Sequence, residues 1–106
     1  MRRFSRATGA AAIAFALAPG IGFALKEIRI HLSAAGGAGD LTATINSAAG
    51  AAYDVVLITQ DMTLITDIIL QPAQPHEFEA GDELLFAWAN VNTRTYGIEV
   101  VWSWSP

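Results

Sequence analysis

From Phe23 onward the chain alternates apolar and polar positions in short runs, broken by Gly, Asp, Asn and Pro at roughly ten-residue intervals, the pattern of an antiparallel sandwich or barrel. In GFALKEIRIHLS, Ile28, Ile30 and Leu32 alternate with Glu27, Arg29 and His31, so a period of two puts aliphatic side chains on one face and polar ones on the other. After the flexible AAGGAGD turn, LTATINS repeats the alternation with Leu41, Ala43 and Ile45 inward. In YDVVLIT, Val55 to Ile58 are consecutively apolar, which predicts a strand covered on both faces by the other sheet and a loop, or by a neighbouring subunit.

MTLITDIILQP predicts a further strand with Leu64, Thr66, Ile68 and Leu70 on one face, stopped by Pro72 and Pro75. A short strand around Phe78, a turn at Ala80-Gly81-Asp82 and a strong strand from Glu83 to Asn90 follow, the last with Leu84, Phe86 and Trp88 on one face. The polar loop NVNTRTYG leads into GIEVVWSWSP, where Ile98, Val100, Trp102 and Trp104 share a face. Seven or eight strands in residues 23–106 predict an all-β fold, a compact antiparallel β-sandwich of jelly-roll-like form.

Residues 1–22 break this pattern. Arg2, Arg3 and Arg6 precede an alanine-rich apolar run that ends at Pro19-Gly20. This order of a basic start, an apolar centre and small residues resembles a secretory signal. Against that, the best small-x-small site, Ala16-Leu17-Ala18, is followed by Pro19, a poor residue just after a cleavage point. As a helix the core AAAIAFALA would be about 14 Å long, too short for a bilayer of about 30 Å, so no membrane anchor is expected. The segment is therefore taken as an extended or partly helical N-terminal arm, hinged at Pro19-Gly20, with 23–106 as the folded domain.

Composition sharpens this division. The formal charge of −4 is split, because half of the six basic residues lie in the first six positions. From Phe23 onward Lys26, Arg29 and Arg94 stand against ten acidic residues, a body charge of −7. An acidic body without a basic stripe argues against direct nucleic-acid binding. With no cysteine, neither disulfides nor thiolate metal sites are available. A small domain without such staples often gains stability by oligomerisation.

Candidate chemistry is sparse. The chain has no cysteine nucleophile, no G-x-S-x-G elbow, no H-E-x-x-H and no phosphate-cradling glycine loop, so an enzyme is not expected. His31 and His76 could meet a carboxylate at a metal, but they lack ligand spacing and are expected on the surface, and no cofactor is expected. Asp40, Asp61 and Asp82 sit where carboxylates bond to turn amides. Trp88 and Trp102 occupy inward phases and are expected in the core rather than in a sugar-stacking platform, whereas Trp104, near the end of the last strand, is a candidate contact residue.

The body also resembles a group of small proteins encoded among the structural genes of tailed bacteriophages. The features that carry this are E-I-R-I-H-L-S-A-A before a Gly/Asp turn, A-A-Y-D-V-V-L, Q-P-x-x-P-H-x-F, G-D-E-L, and W-A-N…R-T-Y-G-I-E-V, spread over residues 23–102. The resemblance implies a virion-associated β-sandwich protein, a capsid decoration or cement protein assembled in the host cytoplasm. Its partners would be the major capsid protein or other virion proteins, with several copies associating on the particle. In that setting the arm would dock through Arg2, Arg3, Phe4, Arg6, Ile13, Phe15 and Leu17, together with Trp104. A head–tail connector or tail component, and a secreted carbohydrate- or protein-binding module with residues 1–22 as its signal, are the alternatives.

Overall fold

The structure, a computed structural model, describes residues 2–104, the side chain of Arg2 aside. The described residues form nine strands: β1 (Arg2–Gly9), β2 (Ile13–Leu17), β3 (Phe23–Leu32), β4 (Asp40–Asn46), β5 (Val55–Asp61), β6 (Asp67–Leu70), β7 (His76–Phe78), β8 (Glu83–Trp88) and β9 (Tyr96–Trp104). They make two antiparallel sheets packed face to face. The first has the order β1-β9-β3-β6, with β7 also paired to β3, and the second has the order β2-β8-β4-β5. If β6 and β7 are counted as one strand interrupted by Pro72 and Pro75, this is the eight-stranded order of a jelly roll, built from two Greek keys.

The core lies between the sheets. β8 buries Leu84, Phe86 and Trp88, and β9 buries Ile98, Val100 and Trp102. Phe23 stacks on Phe78 with ring centroids 4.4 Å apart and meets the edge of Trp102 at 6.0 Å. β3 can contribute along its whole length because of a bulge. The register against β9 shifts between Leu25 and Glu27, so Phe23 and Leu25 before it, and Ile28, Ile30 and Leu32 after it, all face the core. Without the extra residue the two sets would point to opposite faces.

Three expectations from the sequence are corrected. The first is the N-terminal arm, because residues 2–17 are part of the sandwich. β1 pairs with β9 from Arg2↔Ser103 to Gly9↔Tyr96, and β2 pairs with β8 from Ile13↔Trp88 to Leu17↔Leu84. The division expected at residue 22 therefore falls inside the domain. Pro19-Gly20 is the connection from β2 to β3, with Gly20 at φ 84°, where a residue without Cβ is favoured. Ile13 and Leu17 are core residues rather than docking residues, and Phe15 is half-buried against Phe86 at 5.8 Å.

The second correction concerns β5, which is not covered on both faces. It is the edge of the second sheet, with Val55 and Val56 about half exposed. A run of apolar residues records side-chain type, not how many neighbours the fold supplies. Third, Leu64 is not in a strand. It takes φ 64° in the turn by which the chain crosses from the second sheet to the first, and β6 begins only at Asp67.

Asp61 and Asp82 take the expected turn role, whereas Asp40 is the first residue of β4, in register with Asp61. Asp61 accepts from the backbone N–H of Thr63 and then from its hydroxyl, which holds its pKa below the ordinary 3.8. Its contribution to the turn is thus complete above the unfolded value and is lost as pH falls through the folded one. Asp82 is buried and accepts from the N–H groups of Ala48 and Glu79, tying two loops together.

Gly36 sits at a close crossing in the β3–β4 connection. It donates its N–H to Ile65, accepts from Leu64, and has no room for a side chain, since a Cβ there would collide with the Met62 carbonyl oxygen. Gly36→Ala is expected to cost about 1–3 kcal/mol, because the obstacle is backbone and not a movable side chain. A lowered urea midpoint with unchanged slope would register it.

Candidate interaction site

The polar residues that the pattern placed on the solvent side of β3 form part of an ordered outer face on the first sheet. Strand register sets its rows. Asp67, His31, Gly97 and Thr8 lie side by side across β6, β3, β9 and β1; the next row is Ile69, Arg29, Glu99 and Arg6, and the next carries Glu27, Val101 and Phe4. Side chains in register on neighbouring strands are within contact range, so opposite charges in these rows meet.

The pairs are explicit. Arg6 Nε donates to Glu99 at 2.6 Å, Arg29 Nε donates to Glu27 at 2.9 Å, and His31 Nδ1 lies 2.5 Å from the Asp67 carboxylate. Glu27 is buried and also accepts from Gln71 at 2.7 Å. Arg6, His31 and Asp67 are mostly exposed, so these contacts contribute little stability, and their role is to fix side-chain direction on the face. Gly97 leaves the middle of the face open, as nothing lies within 4 Å of where its Cβ would be. The result is a shallow groove of about 660 Å³ between the side chains of β1 and β6.

At the end of this sheet the arginines of β1 meet aromatic rings. The Arg3 guanidinium lies 4.4 Å from the Trp104 ring centroid, and that of Arg6 lies 5.4 Å from the Phe4 ring. Arg3 Nε is buried without a hydrogen-bond partner among the described residues. Trp104 is 50% exposed and Phe4 55%, so each side of the strand end leaves one aromatic ring open beside one cation. Ser5, between them on β1, accepts from the indole N–H of Trp102 at 3.1 Å and so locks the register of the strand end.

Of the residues expected to dock, the structure pairs Arg3 with Trp104 on the inward side of β1 and Arg6 with Phe4 on its outward side, and it draws Ile13 and Leu17 away into the core. Arg2 lies in β1 opposite Ser103, and its side chain is outside the described residues. Trp88 and Trp102 are core residues, so they offer no platform for a sugar. His76 packs on Phe78 with ring centroids 5.0 Å apart and belongs to β7, whereas His31 pairs with Asp67 on the outer face of β3 and β6. Among the described residues no group of three His, Asp or Glu side chains is placed to hold a metal ion, and no helix is long and apolar enough to cross a membrane.

Glu99, Thr8 and Gly97 were not singled out by the sequence. The signal that could have found them is the match between two alternating strands, Glu99 opposite Arg29 and Gly97 opposite His31, which becomes visible only once β9 is placed beside β3. No protein-family model matches the chain, and no curated protein sequence matches it either.

Proposed function

We propose that this chain is a structural component of a tailed-phage particle, a capsid decoration protein that binds the major capsid lattice and acts by contact alone. The observation that carries the reading is a pair of open arginine–aromatic contacts at one end of the sandwich, Arg3 with Trp104 on one side of the β1–β9 strand end and Arg6 with Phe4 on the other. Trp, Tyr and Arg dominate the energetics of protein interfaces, and preformed contacts of this kind lose little conformational freedom on binding. The resemblance of residues 23–102 to phage structural-gene products supplies the setting, and the jelly-roll order is one that viral capsid domains use. This reading moves the expected docking site from a free arm to a strand edge.

Co-sedimentation of the chain with expanded capsid shells tests it. Trp104→Ala, at an exposed position, is expected to weaken attachment by about 30-fold, the equivalent of about 2 kcal/mol, while the unfolding midpoint stays within a few degrees. Wild-type affinity in that variant would remove the Arg3–Trp104 contact from the binding site. A chain that never co-sediments with shells would remove the decoration role.

A further inference from the structure

We propose that copies of this chain associate side to side in a head-to-tail manner, with β5 of one copy pairing in an antiparallel ladder with β2 of the next. The inference concerns the protein in solution and does not depend on the particle reading.

Three observations converge on it. The first is the state of the edge. Natural edge strands are protected by lysine, proline, bulges or brevity. β5 is seven residues long, VVLITQD, with no lysine and no proline; a bulge at Leu57 shifts its register against β4, but Val55 and Val56, with Tyr53 just before them, are more than half exposed. Beside it, a cleft of about 250 Å³ between the two sheets is lined by Leu57, Ile58, Leu70 and Pro72. The opposite edge, β2, is IAFAL, whose outward residues Ala14 and Ala16 are exposed and small enough to let another backbone approach.

The second is charge. β1 and β2 carry Arg2, Arg3 and Arg6, the last paired with Glu99 of β9, and no acidic residue of their own, whereas residues 53–79, which form the β5–β7 side, carry Asp54, Asp61, Asp67, Glu77 and Glu79 and neither lysine nor arginine. Each side therefore repels its own kind and attracts the other. That disfavours a two-fold dimer through like edges and favours a heterologous contact, which generates rings or open chains.

The third is direction. β2, β8, β4 and β5 are successively antiparallel, so the two edges of this sheet run in opposite senses. A neighbour in the same orientation thus presents its β2 antiparallel to β5, and the alternation of the sheet continues across the boundary. The other sheet is interrupted at its edge by Pro72 and Pro75, so it contributes charge pairing rather than a ladder.

Native mass spectrometry of the full chain, with two variants at exposed positions, tests this. Val56→Lys places a positive charge on the β5 edge, and Ala14→Glu places a negative one on β2. The wild type is expected to form oligomers whose dissociation constant rises about tenfold between about 0.1 M and 1 M salt, as the Debye length shortens from about 10 Å to about 3 Å. Each variant alone is expected to be monomeric, and an equimolar mixture is expected to associate, because each supplies the edge the other lacks. Dimers in Ala14→Glu alone would mean β5 pairs with β5, and dimers in Val56→Lys alone would mean β2 pairs with β2. Either result, a monomeric mixture, oligomers indifferent to salt, or a wild type that stays monomeric at its highest soluble concentration would overturn the proposal.

Discussion

A chain lacking residues 1–22 is expected to lose cooperative unfolding, not merely a surface attachment. The truncation removes the edge strand of both sheets, leaving the backbone of β9 and β8 unpaired on one side. It also takes Ile13 and Leu17 out of the core, and Phe15 from its contact with Phe86. Full burial contributes about 1.5–3 kcal/mol for each of Ile13 and Leu17, and with a part of that for the half-buried Phe15 the total approaches the lower end of the 5–15 kcal/mol that holds a typical domain. Near-UV circular dichroism of the truncated chain should show no fixed aromatic signal, and heating should give no sigmoidal transition. A truncated chain that melts cooperatively within a few degrees of the full one would show that β1 and β2 are dispensable.

The second large effect is expected at Asn90. This side chain is 2% exposed and holds two loops to one another. Its Nδ2 donates to the carbonyls of Ala11 and Arg94 at 2.8 and 2.9 Å, and its Oδ1 accepts from the Arg94 N–H at 2.9 Å. Ala11 belongs to the β1–β2 connection and Arg94 to the β8–β9 connection, so one residue fastens the N-terminal strands to the rest of the sandwich. Asn90 also has φ 51°, a left-handed conformation that Asn adopts more readily than Ala. Asn90→Ala is expected to cost about 3 kcal/mol or more, since buried backbone groups lose their partners, and to lower the melting temperature by about 12 °C or more. Asn90→Gly separates the causes. It relieves the backbone but not the lost bonds, and should recover only a small part of the loss. Full recovery in the glycine variant would place the effect in the backbone conformation instead.

The strands legible in the sequence were those whose inward positions are bulky and whose outward positions are polar. β3, β4, β8 and β9 meet that condition, and Leu84, Phe86 and Trp88 point inward as their spacing implied. β1 does not meet it, because its core-facing residues are Arg3, Ser5, Ala7 and Gly9, in register with Trp102, Val100, Ile98 and Tyr96. Gly9 is small because the Tyr96 ring lies over it, with its hydroxyl oxygen 3.2 Å from where a Cβ would be. A strand that offers small residues to large partners carries no hydrophobic period of its own. β2 did carry one, with Ile13, Phe15 and Leu17 alternating with alanines, but its alanine-rich surroundings imitate a leader segment.

The interaction site was legible in its parts and hidden in its assembly. Trp104 stood out as a candidate contact by its place near the end of a strand, and the arginines stood out by composition. Their meeting did not, because it depends on pairing the first strand with the last, as in the Arg6–Glu99 contact across 93 positions of sequence. Such long-range register is set by turns, bulges and core complementarity together, and no local pattern encodes it.

The most direct test of the central claim is intact-mass and stoichiometric measurement of this chain in purified phage particles from the source that encodes it. The account predicts a chain that retains residues 2–17 as strands of the sandwich, present in proportion to the major capsid protein. Its absence from particles, or a secreted form beginning near Phe23, would contradict it.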